Sequence, residues 1–148
     1  MLTEKSALDK AQASQLNPVV LAFVGDTVYS LYVRERLAFS GSGKVSQLQL
    51  VSSQIVSAKG QSEFLEKVFP LFTEEESEIF RRGKNAKKAT KSKSATSLEY
   101  NRSTGFEAVL GYLYLTGNEA RIKELLAVSD GESFVLQEMK TPFKPGRF

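Results

Sequence analysis

The 148-residue chain has no cysteine, no histidine and no tryptophan, and only four prolines. Without cysteine there can be no disulfides, thiol nucleophiles, or zinc and iron–sulfur sites held by thiolates. Without histidine, Ser–His–Asp triads, imidazole general bases and histidine metal sites are excluded together. Long apolar runs are also missing. The longest, Val19 to Val24, has six residues, whereas crossing a bilayer takes roughly 20. The first ten residues, Met1 to Lys10, are mostly polar and charged, unlike the apolar core of a secretory signal. The expectation is a soluble, cytoplasmic protein with no membrane partner. Its chemistry must come from carboxylates, lysine, tyrosine, serine or threonine, or from a hard metal held by oxygen ligands.

What is present suits one folded domain. The length is that of a single domain, and a content of 41% hydrophobic and 25% charged residues supports a core and argues against global disorder. The punctuation is helical. Asn17 before Pro18 reads as an N-cap with proline at the first helical position, opening an apolar helix that runs to about Phe39 and stops at Ser40-Gly41-Ser42-Gly43. Being apolar nearly all round, it is expected in the middle of the domain. Further helices are expected over Val45 to Ala58, from about Gln61 to Pro70 with a bend or break at Gly60, and from a Thr73-x-x-Glu76 capping box to about Arg82. A second very apolar helix, about Ser103 to Leu115, ends at Thr116-Gly117, and Asn118 opens a last one through Val128. The expected fold is an all-α helical bundle occupying residues 1–148 as one domain, with a core of about 17–128, a basic loop of about 83–97 and a C-terminal tail of 129–148.

Charge is concentrated in one place. Arg81, Arg82, Lys84, Lys87, Lys88, Lys91 and Lys93 fall between Arg81 and Ser94 with no acid among them. That leaves 13 of the 20 basic residues against all 17 acids, a net −4 for the rest of the chain. From Gly83 to Ser97 there is no large apolar residue, so this stretch cannot pack a core face. It is either a phosphate-binding segment or an ordinary solvated charge run.

Two acids stand where acids are costly. Asp26 interrupts A-F-V-G-D-T-V-Y and Glu107 interrupts T-G-F-E-A-V-L-G-Y. A carboxylate in such company needs a cation, donors or water, or it takes up a proton. Each could simply pair with an arginine or cap a backbone. Gly25, Gly105 and Gly111 beside them cost about 1 kcal/mol apiece in a helix interior, which suggests close backbone approach there. Two helices meeting through those positions would set Asp26 beside Glu107, and an all-oxygen pair suits Mg²⁺. The tyrosines Tyr29, Tyr32, Tyr112 and Tyr114 read as core or dimer-interface residues.

These stretches resemble a family. Leu21 to Tyr29 is similar to the signature helix of the ribonuclease III nuclease domain, roughly E-x-L-E-F-L-G-D-A-V-L. Ser103 to Gly111 is similar to that family's second acidic helix, roughly D-x-x-E-A-L-I-G. The likeness covers about Asn17 to Val128. This chain has Val19, Ala22 and Thr104 where the family carries further acids, and too few residues follow Val128 for a double-stranded-RNA-binding domain. Both departures, the G-Y-L-Y-L run of Gly111 to Leu115 and the R-R-G-x-N-A-K start at Arg81, resemble the Mini-ribonuclease III subfamily. The resemblance implies an all-α homodimer that hydrolyses double-stranded RNA to 5′-phosphate and 3′-hydroxyl ends. It implies Asp26 and Glu107 as catalytic metal ligands for Mg²⁺, for which Mn²⁺ can substitute, with Thr104 holding a metal-bound water. It implies Arg81, Arg82, Lys84, Lys87, Lys88, Lys91 and Lys93 as RNA contacts. The implied partners are precursor large-subunit (23S) ribosomal RNA and a ribosomal protein. The alternatives are a non-catalytic RNA-binding or ribosome-associated protein of the same fold, and a basic helical scaffold unrelated to nucleases.

Overall fold

The computed structural model describes Leu2 and residues 7–41, 43–87 and 96–128. Among these residues the structure is helical throughout, as the punctuation implied. The helices are α1 (Lys10–Ser14), α2 (Pro18–Phe39), α3 (Val45–Val56), α4 (Ala58–Val68), α5 (Glu74–Asn85), α6 (Ser97–Leu115) and α7 (Glu119–Ala127), with a 3₁₀ turn at Phe69–Leu71 between α4 and α5.

The centre of the bundle is α6, not α2. From Ser103 to Leu113 every residue of α6 is buried except Glu107, and α2, α4, α5 and α7 pack around it. On α2 only the stripe Leu21, Gly25, Tyr29, Val33, Leu37, with Ala22 beside it, is buried. Val20, Phe23, Leu31 and Phe39 on its other sides remain exposed. An apolar helix is thus half covered, and the all-round apolarity that suggested a central position has left a bare outer face.

Helix ends fall where backbone groups find partners. Asn17 Oδ1 accepts from Val19 N at 2.8 Å and Pro18 needs no donor. Thr73 and Glu76 form the expected capping box. A second such box, Thr96 with Glu99, starts α6 six residues before the expected Ser103. A third, Asp9 with Gln12, supports α1, which was not anticipated. The break between α3 and α4 lies at Ser57, whose hydroxyl caps α4 through Gly60 N at 3.0 Å, and not at Gly60 itself. At the far end α5 continues to Asn85, so Gly83, Lys84 and Asn85 are helical and not part of a loop. Asn118 precedes α7 but makes no side-chain cap, its amide donating to Thr116 Oγ1 instead. Gly117, at φ 79°, supplies the left-handed turn that ends α6.

Two glycine contacts set the register of the bundle. A Cβ on Gly25 would overlap the Glu107 carbonyl, and one on Gly111 would overlap the Leu21 carbonyl. Here α2 and α6 touch backbone to backbone. Below the crossing, Tyr29, Phe64 and Phe106 pack with ring centroids 5.2–6.0 Å apart, and these aromatics carry much of the core burial. On the other side, Gly83 and Gly105 let α5 approach α6, less closely than at the α2 crossing. Buried Glu76 accepts two hydrogen bonds from Arg121, both 2.9 Å, tying α5 to α7. Desolvation pushes the Glu76 carboxyl up, but the bonds from Arg121 and Thr73 outweigh it and hold the group below its ordinary value.

Gly111→Ala is expected to lower stability by about 3 kcal/mol, although alanine is the better helix former by about 1 kcal/mol. Its methyl meets backbone that cannot rotate away. Chemical denaturation of the variant against the wild type measures this, and an unchanged or raised midpoint would contradict the crossing geometry.

Candidate active site

The glycine crossing determines where the two acids lie. Asp26 follows Gly25 on α2, and Glu107 stands one turn before Gly111 on α6, its own carbonyl resting on Gly25. Both side chains line one cleft of about 380 Å³ between α2, α6 and the α3–α4 junction. Asp26 is exposed at its edge and Glu107 is half-buried deeper in. The desolvation expected of both acids therefore falls chiefly on Glu107.

Val19, Ala22 and Thr104, the positions at which this chain departs from the family's acidic pattern, line the same cleft. The acidic groups among the described residues that line the site are accordingly Asp26 and Glu107. Among the described residues no group of three or more acids is close enough to hold a metal. The Thr104 hydroxyl is buried and donates to the Tyr100 carbonyl at 3.0 Å, so its proton is committed to its own helix.

Glu107 is in an unusual electrostatic state. Burial is the largest effect, a hydrogen bond from Gln61 opposes it, and the nearby charge of Asp26 adds to it, so the carboxyl is pushed up to about 8 from an ordinary 4.5. Among the described residues neither Asp26 nor Glu107 forms an ion pair, since the bridges there join Lys10 to Glu75, Arg81 to Glu78, Arg102 to Glu66, and Arg121 to Glu76 and Glu124. No arginine among the described residues pairs with either acid. A cleft with two converging carboxyl groups and no cation among its described lining residues is suited to a hard divalent ion.

Gln61 was not anticipated. It is 2% exposed, lines the cleft, and donates from Nε2 to Glu107 Oε2 at 3.1 Å and to the Val56 carbonyl at 2.8 Å. Its signal in the sequence is a polar residue in the apolar stripe Gln61, Phe64, Leu65, Val68 of α4.

The basic segment is only partly described. Arg81 bonds to Glu78 at 2.6 Å. Arg82 donates to the carbonyls of Ser14 at 3.0 Å and Leu16 at 3.4 Å, fastening α1 to α5. Lys84 lies in the last turn of α5, Lys87 is exposed, and Lys88, Lys91 and Lys93 lie outside the described residues. Tyr29 and Tyr112 are core residues. Tyr32, half-buried, donates to the Leu126 carbonyl, and Tyr114 accepts from Leu2 N at 3.0 Å.

The family model described as "Ribonuclease III domain" matches residues 19–118, which span α2 to the end of α6. The chain belongs to the ribonuclease III family and is an endoribonuclease. Within that family its similarity is to proteins named Mini-ribonuclease 3. That of Thermoanaerobacter sp. is 41% identical over 86% of this chain and 90% of its own length. That of Brevibacillus brevis is 44% identical over 79% and 90%, and that of Streptococcus pneumoniae 41% over 76% and 89%. The crystal structure of protein FN1578 from Fusobacterium nucleatum superposes with a TM-score of 0.71 at 31% identity, covering 80% of this chain and 95% of that one.

The raised Glu107 carboxyl has a consequence for stability. A group raised from 4.5 to about 8 on folding favours the folded state fully below the lower value and loses that contribution as pH rises to the upper one. Metal-free wild-type protein is expected to lose stability between about pH 4.5 and 8, whereas Glu107→Gln lacks this contribution to the pH dependence. Denaturation of the metal-free pair across that range measures it. Parallel stability curves would contradict it.

Proposed function

We propose that the chain is a cytoplasmic, Mg²⁺-dependent enzyme that cuts double-stranded RNA to 5′-phosphate and 3′-hydroxyl ends. By resemblance its substrate is the base-paired stem joining the ends of precursor large-subunit (23S) ribosomal RNA, with a ribosomal protein as accessory partner. The observation that carries the reading is the convergence of Asp26 and Glu107 in one cleft with no compensating cation among the described residues. Mg²⁺ characteristically keeps several waters and is held by one or two carboxylates plus substrate phosphates, which fits a two-carboxylate site open at its edge. When bound, such an ion lowers the pKa of the attacking water and neutralises charge on the leaving 3′ oxygen.

The chain's own residues supply the rest. Asp26 and Glu107 bind and orient the ion, Gln61 holds one oxygen of Glu107, and Thr104 retains lone pairs for a water on the cleft side. Val19 and Ala22 line the cleft without adding charge, so a metal there would be held by the two acidic side chains. The lysines from Lys84 to Lys93, together with the exposed faces of Arg81 and Arg82, are read as phosphate contacts, which give affinity without sequence preference.

Cutting both strands of a duplex calls for two opposed sites, and a two-fold axis provides them. Val20, Phe23 and Leu31 share one face of α2 with exposures of 46%, 78% and 49%. A second copy of the chain is the reading for that face. Sedimentation equilibrium at micromolar concentration is expected to give twice the 16.4 kDa chain mass; a monomer that still cuts both strands together would contradict it.

Asp26→Asn and Glu107→Gln are each expected to slow duplex cleavage about a thousandfold, equivalent to about 4 kcal/mol of barrier, while remaining folded. EDTA is expected to abolish wild-type cleavage. Measuring single-turnover cleavage of a long RNA duplex tests all three, and near wild-type rates in either variant would overturn the assignment of the site.

A further inference from the structure

Gln61 is a buried polar side chain at the base of the acidic cleft whose burial the packing alone does not explain. Its amide is held from two sides. One N–H goes to the Val56 carbonyl at 2.8 Å, an end-of-helix acceptor of α3 that has no partner within its own helix. The other goes to Glu107 Oε2 at 3.1 Å. With both donors committed, the carbonyl Oε1 is buried without a hydrogen-bond partner among the described residues. An apolar residue of similar volume at position 61 would avoid that unpaired oxygen, so burial alone does not call for glutamine.

The α3–α4 junction gives the amide a rigid base. Ser57 caps α4 and donates to the Gln54 carbonyl at 2.8 Å. Gly60 lies so close to the Gln54 and Ile55 carbonyls that a Cβ there would overlap them. The first turn of α4 is therefore pressed onto the end of α3, and Gln61 projects from it to the base of the cleft. The Val56 bond sets the plane of the amide independently of Glu107.

We propose that Gln61 is a positioning residue for the metal site: anchored by the Val56 carbonyl, its amide N–H grips Oε2 of Glu107 and fixes the rotation of that carboxylate for a divalent cation bound with Asp26. The inference rests on the metal-dependent reading above. A hydrogen-bond donor behind a ligating carboxylate orients it and offsets part of its desolvation, and loss of such outer partners costs 10- to 100-fold in metal affinity or activity.

The test is Mn²⁺ binding to the metal-free full chain without RNA, read from the electron paramagnetic resonance signal of free Mn²⁺, for wild type, Gln61→Met, Gln61→Asn and Glu107→Gln. Circular dichroism checks folding. Gln61→Met keeps the volume and removes the donor. Gln61→Asn keeps an amide able to bond Val56 but too short to span to Glu107, and it serves if the methionine variant does not fold. Both are expected to bind Mn²⁺ about 10- to 100-fold more weakly than wild type, with a matching rise in the Mn²⁺ concentration needed for half-maximal duplex cleavage. Wild-type Mn²⁺ affinity in a folded Gln61 variant would overturn the positioning role while leaving the metal site intact. Unchanged Mn²⁺ binding in Glu107→Gln, or none in wild type, would instead overturn the metal reading on which the inference stands.

Discussion

The backbone contact between α2 and α6 at Gly25 and Gly111 is the constraint from which the rest of the molecule follows. Each glycine rests on a carbonyl of the opposite helix, so neither helix can slide or rotate without a clash. Asp26 is the next residue after one contact, and the carbonyl of Glu107 forms the other side of it. A one-residue slip on either helix would turn its acid by about 100° and leave the cleft with a single carboxylate. Packing at the crossing and chemistry in the cleft are therefore one geometric fact, and glycine's cost in helix stability is offset by the register it permits.

The electrostatic arrangement runs against stability. Glu107 is surrounded on α6 by buried neighbours, has Asp26 as a like-charged companion, and has no ion pair among the described residues. The nearby Glu76 shows the contrast. It is buried as well, but two bonds from Arg121 and one from Thr73 hold it ionised. One carboxylate is satisfied by an arginine and joins helices; the other has only the Gln61 amide as its hydrogen-bond donor among the described residues and holds its proton to about pH 8. Groups shifted this far by burial and a like charge in a cleft are characteristic of functional sites.

The helices were legible because their signals are local. The Asn17-Pro18 cap, the Thr73–Glu76 box and the Thr116-Gly117 stop each depend on residues within one turn of each other, and each is found in place. The Thr96–Glu99 box was equally local but sat inside a stretch dominated by charge and small residues, and it starts α6 earlier than the apolar pattern does. Asp26 and Glu107 were visible as acids out of context. Gln61 was not, because a glutamine in an amphipathic helix is unremarkable until its burial and its two partners are known. Arg81 and Arg82 belonged to a run of positive charge by sequence, yet their guanidinium groups bond to Glu78 and to the end of α1.

By itself the sequence determined the helical class, the position of most helix ends, the absence of imidazole and thiol chemistry, and the two acids set among apolar neighbours. These follow from residue types and short spacings, which are properties of the chain at any stage of folding. Tertiary structure decided that α6 and not α2 occupies the centre, that Asp26 is exposed while Glu107 is half-buried, and that Gln61 reaches Glu107 across 46 residues of sequence. Burial and partnership are properties of pairs of elements. They arise only when the glycine contacts bring α2 and α6 together and α4 closes beneath them, because desolvation depends on every neighbour at once and no local pattern encodes it.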